Sequence, residues 1–198
     1  KAGEKYQYLI NQGLNDQRVF SNYGIILKDL GKLKEAEELL LKAIELRPDF
    51  VNAYSNLGSI LINKGDLKGA EKLQRKAIEL SPGFAEAHSN LGGILKDYGE
   101  LKEAEKSTRK AIELKPDYAV AHYNLGSILR SLGKGKEAEK STRKAIALKP
   151  DFAEAYSNLG SILQDSRKFQ ESSDSFRKAI QINPNCLLAH YNLGITLK

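Results

Sequence analysis

The sequence predicts an all-α solenoid, a stack of antiparallel helix pairs, and three observations carry that prediction. The five prolines, Pro48, Pro82, Pro116, Pro150 and Pro184, are spaced 34 residues apart. Asn-Leu-Gly recurs in one register at Asn56, Asn90, Asn124, Asn158 and Asn192, with Asn22-Tyr23-Gly24 as a variant first copy. Each unit also closes on a Lys-Ala-Ile run, beginning at Lys42, Lys76, Lys110, Lys144 and Lys178. A fixed period in this range is the mark of stacked repeats, each too small to bury its own apolar face.

With proline at repeat position 32, Gln17 becomes position 1 and five full units occupy 17–50, 51–84, 85–118, 119–152 and 153–186. Residues 1–16 precede them as the second helix of an earlier unit, with Ala2, Tyr6 and Leu9 at positions 20, 24 and 27. Residues 187–198 follow as the first helix of a sixth, incomplete unit, so the frame contains about twelve helices. The two helices of each unit are divided at position 15 by Gly31, Gly65, Gly99 or Gly133, where a left-handed residue stops a helix. Arg167 takes this place in the fifth unit, whose turn is expected to be less regular. After four of the five prolines stands an N-cap candidate, Asp49, Asp117, Asp151 or Asn185, and Asp151 with Glu154 has capping-box spacing. Phe50, Phe84, Tyr118 and Phe152 come next, and Cys186 replaces the aromatic in the last unit. The second helices carry acid-to-base pairs at i,i+4, namely Glu38–Lys42, Glu71–Arg75, Glu105–Arg109 and Glu139–Arg143, as suits a solvated outer face. At the end, Leu187, Leu193 and Leu197 have no following helix to cover them, so the chain reads as a piece of a longer protein.

The full positional pattern resembles the tetratricopeptide repeat family over essentially the whole chain. Position 8 is Gly24, Gly58, Gly92, Gly126, Gly160 and Gly194. Position 20 is Ala36, Ala70, Ala104 and Ala138, with Ser172 departing, and position 27 is Ala43, Ala77, Ala111, Ala145 and Ala179. The resemblance implies a right-handed superhelical array in which small residues mark close helix crossings. It also implies a concave groove lined by the first helices.

A net charge of +6 raises nucleic acid as a partner. Much of the excess sits on second helices, as in Arg109-Lys110 and Arg143-Lys144, beside the glutamates already named. The implied groove positions mix Arg18, Lys28, Lys96 and Arg130 with Asp29, Glu86, Asp97, Glu154 and Asp165, which makes no phosphate track, so nucleic acid is not expected. No apolar run is long enough to span a membrane and no signal-peptide pattern opens the chain; a cytoplasmic setting is expected. A single cysteine excludes an internal disulfide framework.

Catalytic and metal signals fail one by one. His88, His122 and His190 share position 4 with Phe20, Tyr54 and Tyr156, so they read as space-filling side chains. Equivalent positions on packed helices also lie about 10 Å apart, too far to share one metal ion. Cys186 stands in an aromatic slot and reads as a buried, inert thiol. Gly133-Lys134-Gly135-Lys136 lacks both the preceding glycine (Ile128 stands there) and the following Ser/Thr of a phosphate loop. No enzymatic activity, cofactor or metal is expected.

The groove remains. Position 6 is asparagine in all six first helices: Asn22, Asn56, Asn90, Asn124, Asn158 and Asn192. Asparagine inside a helix costs about 0.5 kcal/mol relative to alanine, and its carboxamide both donates and accepts. A row of them suits pairing with the N–H and C=O groups of an extended peptide; the alternative is that each amide bonds a neighbouring helix. Ser21, Ser55, Ser89 and Ser157 one position earlier would keep the track narrow, while Tyr123 and Tyr191 interrupt it. Selectivity is expected from Tyr123, Tyr191, Arg130 and Glu154. The row resembles the superhelical repeats of O-linked N-acetylglucosamine transferases and their SPINDLY-like relatives, in which asparagines hold peptide backbone. A carboxylate clamp of the chaperone-binding kind is absent, because position 5 is Ser or Tyr and position 6 is never Arg. The expected function is a non-catalytic scaffold for proteins or extended peptides. The alternatives are a substrate-docking segment of a larger transferase and a scaffold that self-associates through its terminal helices.

Overall fold

The computed structural model describes residues 2–196. Among them are twelve α-helices and no strands: α1 Ala2–Asn11, α2 Gln17–Asp29, α3 Leu33–Leu46, α4 Val51–Asn63, α5 Leu67–Leu80, α6 Ala85–Asp97, α7 Leu101–Leu114, α8 Ala119–Ser131, α9 Gly135–Leu148, α10 Ala153–Asp165, α11 Phe169–Ile182 and α12 Leu187–Thr196. Leu197 lies outside the described residues. The chain divides between Ile94 and Leu95, within α6, into two compact units. In the first, α1 packs on α2, α2 on α3, α3 on α4 and α4 on α5, and α2 also touches α4. In the second, α7 through α12 pack in the same sequential way, and α8 and α12 both touch α10. Within each unit these helices thus contact their neighbours in the stack, as in a repeat array.

Close crossings fall where the small residues lie. Ala36, Ala70, Ala104 and Ala138 at position 20 and Ala43, Ala77, Ala111, Ala145 and Ala179 at position 27 are all fully buried. Ser172, the departure at position 20, is buried without penalty because its Oγ donates to the Gly160 carbonyl across the crossing (2.8 Å). Glycine at position 8 faces position 24 of the partner helix. A Cβ on Gly160 would come 2.6 Å from the Phe176 ring, and one on Gly24 would come 3.1 Å from Leu40. Gln74 and Thr142 occupy the same place against Gly58 and Gly126.

Between helices the backbone departs from two expectations. Asp49, Asp117 and Asp151 do not cap the following helices: the N-cap residues are Phe50, Tyr118 and Phe152, with no side-chain cap bond. The prolines instead open a turn closed by Phe50 N–H to Arg47 O (3.0 Å), Tyr118 N–H to Lys115 O (3.1 Å) and Phe152 N–H to Lys149 O (3.2 Å). Proline presets the second residue of such a turn and aspartate fills the third, one residue too early to cap. Asn185 holds the same turn position, closed by Cys186 N–H to Asn183 O at 3.0 Å. Nor is the fifth inter-helix turn irregular. Arg167 adopts φ 59°, beside 76°, 82°, 81° and 73° for Gly31, Gly65, Gly99 and Gly133. Its bonds, Arg167 N–H to Gln164 O and Lys168 N–H to Leu163 O, repeat those of Gly133 and Lys134. Packing of the two helices imposes the conformation whatever residue stands there.

The outer faces are laced by ion pairs. Three of the four expected i,i+4 pairs form, Glu71–Arg75, Glu105–Arg109 and Glu139–Arg143 at 2.8–2.9 Å. Others join successive repeats: Lys64–Glu37 (2.6 Å), Lys134–Glu105 (2.8 Å), Arg109–Glu137 (3.0 Å) and Arg143–Glu171 (3.1 Å). Lys134, reinforced by Arg109, holds the Glu105 carboxyl below its ordinary range.

Candidate functional site

The first helices place position 6 at the junction with the preceding repeat. The Asn56 amide donates to Ser21 Oγ at 3.3 Å, and the Asn90 amide donates to Ser55 Oγ and Ser59 Oγ, both at 3.3 Å. In the second unit the Asn158 amide donates to Thr142 Oγ1 (3.2 Å) and that of Asn192 to Ser161 Oγ (3.4 Å). Asn22, exposed at the start of the series, reaches the Tyr6 hydroxyl at 3.4 Å. Tyr123 replaces the serine 35 residues before Asn158, and although Ser127 stands 31 residues before it, as Ser59 and Ser161 do for Asn90 and Asn192, the amide turns to the second helix of the preceding repeat. In these five residues only the nitrogen is engaged. Each Oδ1 remains available, with a second N–H on all of them but Asn90, on a carboxamide whose orientation is already fixed. Asn124 is half-buried at the same position of α8.

The serines lie beneath this row. Ser21, Ser55, Ser89 and Ser157 are all buried, and Ser157 Oγ has no partner because Asn192 bonds Ser161 instead. Ser21 and Ser55 act through the asparagines, as supports. Tyr123 is half-buried with its ring 5.1 Å from that of Phe152, and burial, then Glu154 and Asp97, raise its phenol pKa. Tyr191 is 68% exposed. Glu154 is exposed on the first turn of α10. Arg130 grips Asp165 with two nitrogens, at 2.6 and 3.3 Å. The other cations at these positions are paired as well: Arg18 with Asp16, Lys28 with Asp29 and Lys96 with Asp97.

Position 4 does more than fill space. Nε2 of His88, His122 and His190 donates to the carbonyls of Pro82, Pro116 and Pro184 at 3.0, 2.8 and 2.9 Å, and the Tyr54 hydroxyl donates to Pro48 O at 3.0 Å. The signal was present in the sequence: Phe20, which cannot donate, follows Leu14, where the period would otherwise place a proline. Cys186 is half-buried, packed against Phe176, Ala179 and Ala189. Among the described residues no group of three or more His, Cys, Asp or Glu is placed to hold a metal ion. No helix there is long and apolar enough to cross a membrane.

Family models described as TPR repeat or tetratricopeptide repeat match residues 24–65, 51–84, 85–118, 119–152 and 153–186. No curated protein sequence matches the chain. Among solved structures, YrrB, described as a TPR protein with an unusual peptide-binding site, is 24% identical with a TM-score of 0.61, covering 96% of this chain and 97% of its own. TTC0263, a thermophilic TPR protein of Thermus thermophilus, is 21% identical with a TM-score of 0.78, covering 91% and 98%. Pseudomonas aeruginosa pilF is 18% identical with a TM-score of 0.73, covering 99% and 90%. These likenesses share one fold class, the all-α superhelical repeat.

Proposed function

Because the chain belongs to the tetratricopeptide repeat family, in general a non-catalytic interaction repeat, we propose that it is a scaffold that binds protein segments in extended form along its first helices. The observation that carries the reading is the asparagine row. Asn22, Asn56, Asn158 and Asn192 are each anchored through one amide proton and Asn90 through two, with Oδ1 unengaged in all five. An anchored carboxamide loses little entropy on meeting a ligand, and preorganisation of this kind raises affinity without further contacts. Alternate peptide N–H and C=O groups would meet Oδ1 and the second N–H, leaving side-chain choice to Tyr123, Tyr191 and Glu154. Arg130 enters only by surrendering Asp165. The paired cations along the row favour peptide over nucleic acid. The description of YrrB as having a peptide-binding site is in keeping with this use of the fold.

The test is capture of extended peptides from a synthetic library, compared between the native chain and a variant with Asn56, Asn90, Asn124 and Asn158 changed to Ala. Selected peptides should lose binding in the variant, and also when their backbone is N-methylated, while helicity stays constant. Equal capture by both proteins would remove the asparagines from the binding surface. A second reading is favoured by α12, where Leu187 is 82% exposed and Leu188 60% exposed. That apolar face would cover itself on another helix pair, and sedimentation mass rising with concentration is its signature. The transferase-docking alternative rests on the asparagine row alone.

A further inference from the structure

The second helices of the second unit enclose a cleft that the asparagine row does not touch. It measures about 900 Å³ and lies between α7 and α9, with Ile112, Leu125 and Leu129 in its lining. Arg109, Lys140, Arg143 and Lys144 contribute the cationic part of that lining, and Glu113 and Glu137 the acidic part. Its origin is visible in the repeat register. Position 23 is Leu39 and Leu73 in the first unit, and both pack against the core cluster there. In the second unit the same position is Ser107, Ser141 and Ser175, and at Ser141 the shorter side chain lines a recess over Leu125 and Leu129, which are themselves 5% and 1% exposed.

The charges around the cleft do not cancel. Glu137 is held by Arg109 (3.0 Å) and Glu113 by Lys110 (2.8 Å), so both acids are spoken for. Lys140 and Lys144 have no ion pair or hydrogen bond among the described residues. For Lys144 the reason is specific. The equivalent Lys76 and Lys110 pair with Glu79 and Glu113 three residues on, but Ala147 stands at that place in α9. At this opening both the apolar plug and the neutralising acid are missing; the following repeat, with Ser175 and Gln181, lacks both as well, but there Lys178 bonds Gln181 (3.0 Å).

We propose that this cleft is a second docking site, distinct from the asparagine row, for an acidic protein segment that inserts one aliphatic or aromatic side chain between α7 and α9. The volume lies within the range of ligand-binding clefts. An apolar floor answers to a buried anchor, and two unpartnered ammonium groups answer to flanking carboxylates. A phosphate backbone would use the lysines but leave the leucines idle, and no aromatic ring lines the cleft to stack a base apart from the imidazole of His122, which is held by Pro116 O.

The experiment titrates the ¹⁵N-labelled full chain with the capped peptide Asp-Glu-Asp-Leu-Glu-Asp-Glu, with the same peptide carrying Ala for Leu, and with a single-stranded oligonucleotide. The leucine peptide should shift amides of α7, α8 and α9, bind about tenfold tighter than the alanine peptide, and weaken as salt rises. Ser141→Leu restores the residue that Leu73 places at this position, so it should fold normally and lose about tenfold in affinity. Lys140→Ala with Lys144→Ala should weaken binding and flatten its salt dependence. The four-asparagine variant should bind as the native chain does, which separates failure of the groove reading from failure of this one. Equal binding of the two peptides, indifference to Ser141→Leu, an oligonucleotide that shifts the same amides equally well, or no shift at millimolar peptide would each overturn the proposal.

Discussion

Position 8 offers a matched pair of substitutions at one repeat position with opposite expected signs. Gly160→Ala places a Cβ 2.6, 2.7 and 2.8 Å from three carbons of the Phe176 ring, and that ring is fully buried. Alanine is the better helix former by about 1 kcal/mol. Forcing a methyl into a filled crossing costs about 1–3 kcal/mol, because the ring or the helix must move. At so short an approach the upper part of that range applies, leaving a net loss of about 1–2 kcal/mol. Gly194→Ala on α12 meets nothing within 4 Å, so the helix-propensity gain stands alone. Urea unfolding followed by circular dichroism should move the Gly160→Ala midpoint down by about 0.5–1 M, with faster amide exchange in α10 and α11. Gly194→Ala should leave the midpoint equal or higher. A Gly160→Ala protein as stable as Gly194→Ala would refute the claim that position 8 is glycine because position 24 fills its place.

Two further perturbations follow from local geometry. Arg167 holds φ 59° where the other inter-helix turns use glycine; Arg167→Gly should relieve about 1–2 kcal/mol of left-handed strain and add back part of it as chain entropy. A thermal midpoint above that of the native chain is expected, and an unchanged or lower one counts against strain at this turn. Glu105 titrates below its ordinary value of 4.5 because Lys134, then Arg109, bond its carboxylate. The stabilisation is therefore fully present above pH 4.5 and is lost as the pH falls through the depressed folded value. Glu105→Gln should cost about 1 kcal/mol at neutral pH, and its urea midpoint should converge with that of the native chain in acid. A gap independent of pH would mean that the carboxylate charge contributes nothing.

Some features were legible in the sequence because they depend on local backbone preference. Pro48 and its four equivalents bar helix continuation, and Gly31, Gly65, Gly99 and Gly133 permit the left-handed stop, so repeat length and helix count follow from covalent chemistry. Alanine at positions 20 and 27 marked the close crossings for the same reason, since side-chain volume is a property of the residue.

Other features needed coordinates. Asp49, Asp117 and Asp151 have cap chemistry, but the proline turn uses them one residue before the helix begins. Arg167 shows that packing can impose a conformation that its residue type disfavours. The six asparagines were conspicuous by position alone. Yet whether an amide bonds Ser21, Thr142 or Ser161 depends on how successive helices register. The cleft at Ser141 lies further still from sequence reasoning, because a cavity is the space left by several helices at once. Composition and period determined which elements form and in what order. Only the tertiary structure decided which polar groups satisfy one another and where the fit is incomplete, because those outcomes depend on distances between residues about 16 to 35 positions apart.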